Sequence, residues 1–192
     1  MKKKYVFLII VISLCFVASV YASDVVSDNN TAGKLIGKAV KYMNNLGIVV
    51  KNKINYYVVT AQQLDSLCKN SPYVGRELGL YKYEKGRHNI YLMSGIDYDR
   101  FMGTCAHEYA HAWQVENCPI DQDDILREGF ARWCEIQVLA NDGAAAEAQN
   151  YRMSADPVYG NGYRLLLKYE DKHGRQGVLD LVKKIHKHTE IK

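Results

Sequence analysis

The run Cys105-Ala106-His107-Glu108-Tyr109-Ala110-His111-Ala112-Trp113 constrains this chain more than any other feature. It contains the pattern HExxH. On an α-helix, residues four apart stack on one face. His107 and His111 can therefore turn two imidazoles toward one point. Glu108 lies about 100° round the helix, close enough to reach a water at that point without competing for the ion. Met102, Ala106, Tyr109, Ala110 and Trp113 cluster on the opposite side. That stripe predicts a helix with a buried back and a chemical front facing a cleft.

Two imidazoles do not complete a hydrolytic zinc site, which takes three protein ligands and leaves one position open. A metzincin would supply a His six residues after the second, with a Gly three residues after it. Here Asn117 and Gln114 stand at those places. The next helical stretch carries Leu126-Arg127-Glu128-Gly129-Phe130-Ala131-Arg132-Trp133. Glu128 lies far enough on for the chain to turn and bring a second helix alongside. It is the first candidate for third ligand, with Glu135, Asp121, Asp123 and Asp124 as competitors. Gly129 costs a helix about 1 kcal/mol relative to Ala. Close approach of the two helices beside the metal is the expected compensation.

The run HEYAHAW followed by LREGFARW resembles the gluzincins, zinc peptidases built on HExxH plus Glu. More narrowly it resembles the DA1-like peptidase domain and its small bacterial relatives. The stretch Asp156-Pro157-Val158-Tyr159-Gly160-Asn161-Gly162-Tyr163-Arg164 is similar to a segment that follows the metal helices in that family. The resemblance covers roughly residues 78–170. It implies a zincin-like fold, one zinc ion on His107, His111 and Glu128, Glu108 as general base and acid, and a peptide or protein substrate. No Cys/His clusters precede the domain, so the ubiquitin-linked biology of the plant proteins does not carry over.

Three residues in the matching segment, Tyr159, Tyr163 and Arg164, are candidates to stabilise a tetrahedral oxyanion. Extended peptides commonly bind by adding a strand to a sheet edge. Asn89, Ile90, Tyr91, Leu92, Met93 and Ser94 directly precede the HExxH helix and resemble the upper-rim strand of such peptidases. Their backbone is expected to pair with substrate. Two other functions fit the same residues: a zinc-binding scaffold that turns nothing over, and a hydrolase of cell-wall peptide amides. The intact Glu108 argues against the scaffold, because a structural zinc site needs no general base.

The rest of the chain sets the frame. Lys2, Lys3 and Lys4 precede an apolar run from Tyr5 to Val20, and Val20-Tyr21-Ala22 offers a cleavage site. That is the layout of a secretory signal peptide over residues 1–22. The apolar run is short for a span of about 20 residues. The expectation is a secreted or periplasmic protein without a stable membrane anchor. The remaining residues 23–192 fit one domain. The chain has 25 basic and 21 acidic residues, but the leader takes three lysines and no acids with it. The nearly balanced remainder gives no reason to expect nucleic acid or an anionic membrane as partner. Cys68, Cys105, Cys118 and Cys134 remain, an even number that permits three disulfide connectivities in an exported protein.

Periodicity predicts an α+β chain, a small antiparallel sheet followed by a helical half. Helix is expected from Thr31, acting as cap, to Asn45, with Gly47 ending it. A strand is expected over Tyr56–Thr60, a short helix over Ala61–Lys69 and a hairpin over Leu78–Ser94. Helices should follow from Asp97 or Asp99 to Glu116, from Asp121–Asp124 to Leu139, and from Ala144 to Met153. Two closing helices are expected over Tyr163–His173 and Gly177–His186.

Overall fold

The computed structural model describes residues 24–69 and 77–192. The signal-peptide reading falls on residues outside that range. The elements are α1 (Asn29–Asn45), β1 (Ile54–Val59), α2 (Ala61–Leu67), β2 (Gly79–Glu84), β3 (Arg87–Met93), α3 (Tyr98–Asn117), α4 (Asp124–Asp142), α5 (Ala145–Arg152) and α6 (Tyr159–Val182). A 3-10 turn at His188–Glu190 follows. The order is mixed α and β, with the strands early and the helices late, as the periodicity predicts.

Side-chain caps set several helix starts by satisfying amide groups that have no partner within the helix. Asp97 accepts from the Arg100 amide at 2.9 Å and starts α3. Asp123 does the same for Leu126 at 2.9 Å and starts α4. In α2, Thr60 and Gln63 form a reciprocal capping box. Thr31 does not cap α1. Asp28 does, three residues earlier, by accepting from the amides of Asn30 and Thr31. Gly143, at φ 84°, ends α4 in the left-handed region that favours glycine. The two closing helices form one longer element broken at Gly174, and it starts at Tyr159 rather than Tyr163.

The three strands lie in the order β1-β3-β2. The hairpin β2–β3 is antiparallel, with Lys85 and Gly86 at positive φ in its turn. β1 pairs with β3 in parallel, from Ile54 opposite His88 to Val59 opposite Met93. The sheet is therefore mixed, not purely antiparallel. The hairpin is a local event, whereas β1 reaches β3 through α2 and is placed by tertiary packing.

The core sits around α3. Met102, Ala106, Tyr109, Ala110 and Trp113 are all buried, as the stripe requires. Trp113, Phe130 and Trp133 pack in sequence, with ring centroids 5.2 and 5.9 Å apart, and join α3 to α4. The Trp133 indole donates to Glu170 on α6 at 2.7 Å. α1 packs against α3, and Tyr42 donates from it to Asp142 at the end of α4. Cys68, Cys105, Cys118 and Cys134 are free thiols, so no disulfide links the described residues.

Gly129 answers to a different neighbour from the one expected. A Cβ there would lie 2.4 Å from the Cα of Gly162 on α6, and one on Gly162 would lie 2.0 Å from the Ile125 carbonyl oxygen. The glycine pair lets α4 and α6 touch backbone to backbone. On α3 it is Gly103 that faces α4, with Glu135 and Leu139 within 3.2 Å of a built Cβ.

Candidate metal centre

α3 and α4 bring His107, His111 and Glu128 together. One donor atom from each lies within 4.8 Å of the others. The Glu128 carboxylate stands 3.2 Å from His107 Nε2 and 3.3 Å from His111 Nε2. Of the competing acids, Asp121 and Asp123 pair with His186 and His188 in the C-terminal tail. Asp124 pairs with Arg127 at 2.9 Å.

Glu135 takes a different place. It lies about two turns beyond Glu128 on α4, 3.4 Å from the other imidazole nitrogen of His107, Nδ1. Arg132 holds that carboxylate from the far side at 2.8 Å. His111 has a matching partner: its Nδ1 meets Gln114 Oε1 at 2.9 Å, and Gln114 donates in turn to the Arg127 carbonyl at 3.1 Å. Both rings are thus held through Nδ1 and present Nε2 to the shared point, the arrangement that orients metal-binding imidazoles.

The electrostatics favour positive charge at that point. Burial works against a proton on His107, but the Glu128 and Glu135 carboxylates outweigh it and raise the imidazole to about 10. Burial works to raise Glu128 as well, and the two histidines overcome it, holding the carboxyl well below the usual range. Glu135 is lowered too, because Arg132 and His107 outweigh its burial. Two imidazoles and a carboxylate, with acids around them, suit a divalent cation that accepts nitrogen and oxygen ligands.

The centre opens onto a cleft of about 600 Å³ lined by Glu77, Gly79, Leu80, Tyr81, Glu108 and Tyr159 together with the donor trio. Glu108 is buried, and burial pushes its carboxyl up against the pull of the two histidines. Tyr159 opens α6 with its ring 5.8 Å from that of His107. Burial pushes its phenol upward, so it stays a proton donor at neutral pH.

The other two residues expected to face an oxyanion do not reach the cleft. Tyr163 is buried one turn on, with its hydroxyl beside Arg152. Arg164 is exposed and braces the preceding loop, donating to the Ser154 carbonyl and to Asn161. Of these three only Tyr159, in the first turn of α6, lines the cleft.

The strand expected to carry substrate is corrected as well. Asn89, Ile90, Tyr91, Leu92 and Met93 belong to β3, the central strand, with β1 on one side and β2 on the other. The Ser94 amide donates to the Val59 carbonyl at 2.8 Å. No free edge remains there. The strand beside the cleft is β2, whose outer edge pairs with no strand among the described residues.

Sequence reasoning missed Gly79, Gln114 and Glu77. Gly79 carried a readable signal, a glycine inside a strand pattern, which marks close backbone approach. A Cβ there would lie 2.5 Å from Thr104 Cγ2 and 2.9 Å from Glu108 Cγ. Gln114 stood in plain view three residues after His111. Nothing in the sequence separated Glu77 from other acids.

No protein-family model, no curated protein and no solved structure matches this chain.

Proposed function

We propose that this protein is an exported, zinc-dependent peptidase of gluzincin type. The observation that supports it most is the convergence of His107, His111 and Glu128 on one point, with Glu108 beside them at the floor of a cleft. His107, His111 and Glu128 would hold a zinc ion, which when bound would supply Lewis-acid polarisation of a carbonyl and lower the pKa of water to about 7. Glu108 accepts the proton of the attacking water and returns it to the leaving amine. Tyr159 donates its hydroxyl hydrogen bond to the oxyanion. Glu135 and Gln114 hold the imidazoles in the tautomer that leaves Nε2 free to bind. A peptide lies along the outer edge of β2, adding a strand to the sheet. Val115, Pro119 and Ile120 give that cleft an apolar wall. Export is supported by the leader-like residues 1–22. Among the described residues, no helix is long and apolar enough to cross a membrane.

Metal analysis and a peptide-library digest test this reading, with wild type beside Glu108→Gln. Wild type should bind about one zinc per chain and cleave peptides. Glu108→Gln should keep the zinc and lose about 100-fold or more in kcat. Equal cleavage by the two proteins, or iron in place of zinc, would sink the proposal. The scaffold alternative predicts bound zinc with no turnover in either protein. A cell-wall amidase would leave ordinary peptides intact and release fragments from peptidoglycan.

A further inference from the structure

Glu77 stands just before β2 and lines the same cleft as His107, Glu108, His111, Glu128 and Tyr159. It is half-buried, and it makes no hydrogen bond or ion pair with any described residue. The other acids of the cleft are accounted for. Glu128 meets both imidazoles and Arg127. Asp124 meets Arg127. Glu108 serves the reaction. Glu77 also lies outside the trio of converging donors, so it is not a further ligand of that centre. Its burial disfavours the charged form, Glu128 adds to the effect, and the two histidines oppose it. A carboxylate removed from water without a partner is costly. A cationic group entering the cleft removes that cost and gains a charge-assisted hydrogen bond. Among the described residues the lining contains no lysine, and its arginine, Arg127, is already held by Asp124 and Glu128.

We propose that Glu77 is a specificity-determining residue that binds a positively charged substrate group, either the peptide's α-ammonium or a lysine or arginine side chain. The inference rests on the peptidase reading and names the substrate class of that same cleft. The carboxylate acts on binding and selectivity, and Glu108 keeps the proton transfers.

The test uses matched peptides carrying lysine, norleucine or glutamate at each position, with free or acetylated N-termini. Wild type, Glu77→Gln and Glu77→Lys are compared in the zinc-loaded state. Wild type should prefer the cationic peptide over the norleucine peptide by on the order of tenfold in kcat/KM. Glu77→Gln should bring that ratio near one, and Glu77→Lys should turn it toward glutamate. Loss of the preference on acetylation assigns the cation to the α-ammonium; its persistence assigns it to the side chain. Binding of the same peptides to Glu108→Gln, with and without Glu77→Gln, gives a readout free of turnover. Weaker binding of cationic peptides in the double variant, on the order of tenfold, supports the role. Equal binding and equal selectivity in all variants would overturn it. If wild type cleaves nothing, the peptidase reading fails, and the binding comparison still decides the role of Glu77.

Discussion

Glu128 and Glu135 lie two turns apart on α4 and both meet His107, yet on opposite sides of the ring. The first is 3.2 Å from Nε2 and the second 3.4 Å from Nδ1. Their removal should therefore differ in degree. Glu128→Ala removes one of the three converging donors and should abolish stoichiometric zinc binding in a competition titration. Glu135→Ala leaves the three donors in place but frees the ring, and should weaken affinity about 10–100-fold. Gly79→Ala probes a different constraint. The new methyl meets Glu108 and Thr104, so α3 or β2 must shift. Zinc content should stay at one while kcat falls, and unchanged kcat would show that Glu108 tolerates displacement. At this scale the sequence was informative about residue type and position in the helix. Spacing grouped His107, Glu108 and His111 on one helix and left Glu128 as the first of several acidic candidates beside them. It could not say which nitrogen each carboxylate faces, since both acids share a face of α4.

α6 depends on a contact between two glycines. Gly129 and Gly162 let α4 and α6 approach closely enough for Tyr159, at the start of α6, to reach His107. Gly162→Ala places a Cβ against the Ile125 carbonyl and should destabilise the fold by about 1–3 kcal/mol, read as a lower denaturant midpoint. Its residual activity should fall further than its folded fraction, because Tyr159 moves with the helix. Glu116 ties elements together at the other end of α3. It accepts from the Lys51 amide at 2.7 Å and the Asn52 amide at 2.9 Å, and meets the buried His88 at 3.2 Å. Burial works to raise its carboxyl, and those hydrogen bonds outweigh it and hold it below its ordinary value. A lowered carboxylate contributes its stability above its unfolded value, about 4.3, and loses it as pH falls through the folded one. Unfolding free energy measured by denaturant titration should therefore fall more steeply in wild type than in Glu116→Gln as pH drops below about 4.3. A pH-independent difference between the two would show that the charge contributes nothing.

The donor trio bridges α3 and α4, so a cation bound there joins two central helices of the molecule. Binding to the folded chain alone stabilises it by about 2.7 kcal/mol at a metal concentration 100 times Kd. Chelation should lower Tm by several degrees, zinc should restore it, and Glu128→Ala should respond to neither. By itself the sequence determined the course of the helices, the hairpin and the placing of His107 and His111 on one helix face, because those follow from periods of 3.6 and 2 and from caps within three or four residues. It placed the helix cap at Thr31 instead of Asp28 because both residue types accept amide hydrogen bonds. Only the tertiary structure decided that β1 runs parallel to β3 and leaves β2 at the edge, that Tyr159 faces the centre while Tyr163 and Arg164 turn away, and that Glu77 enters the cleft. Each of these depends on contacts between residues far apart in the chain, where local spacing carries no information about which surfaces meet.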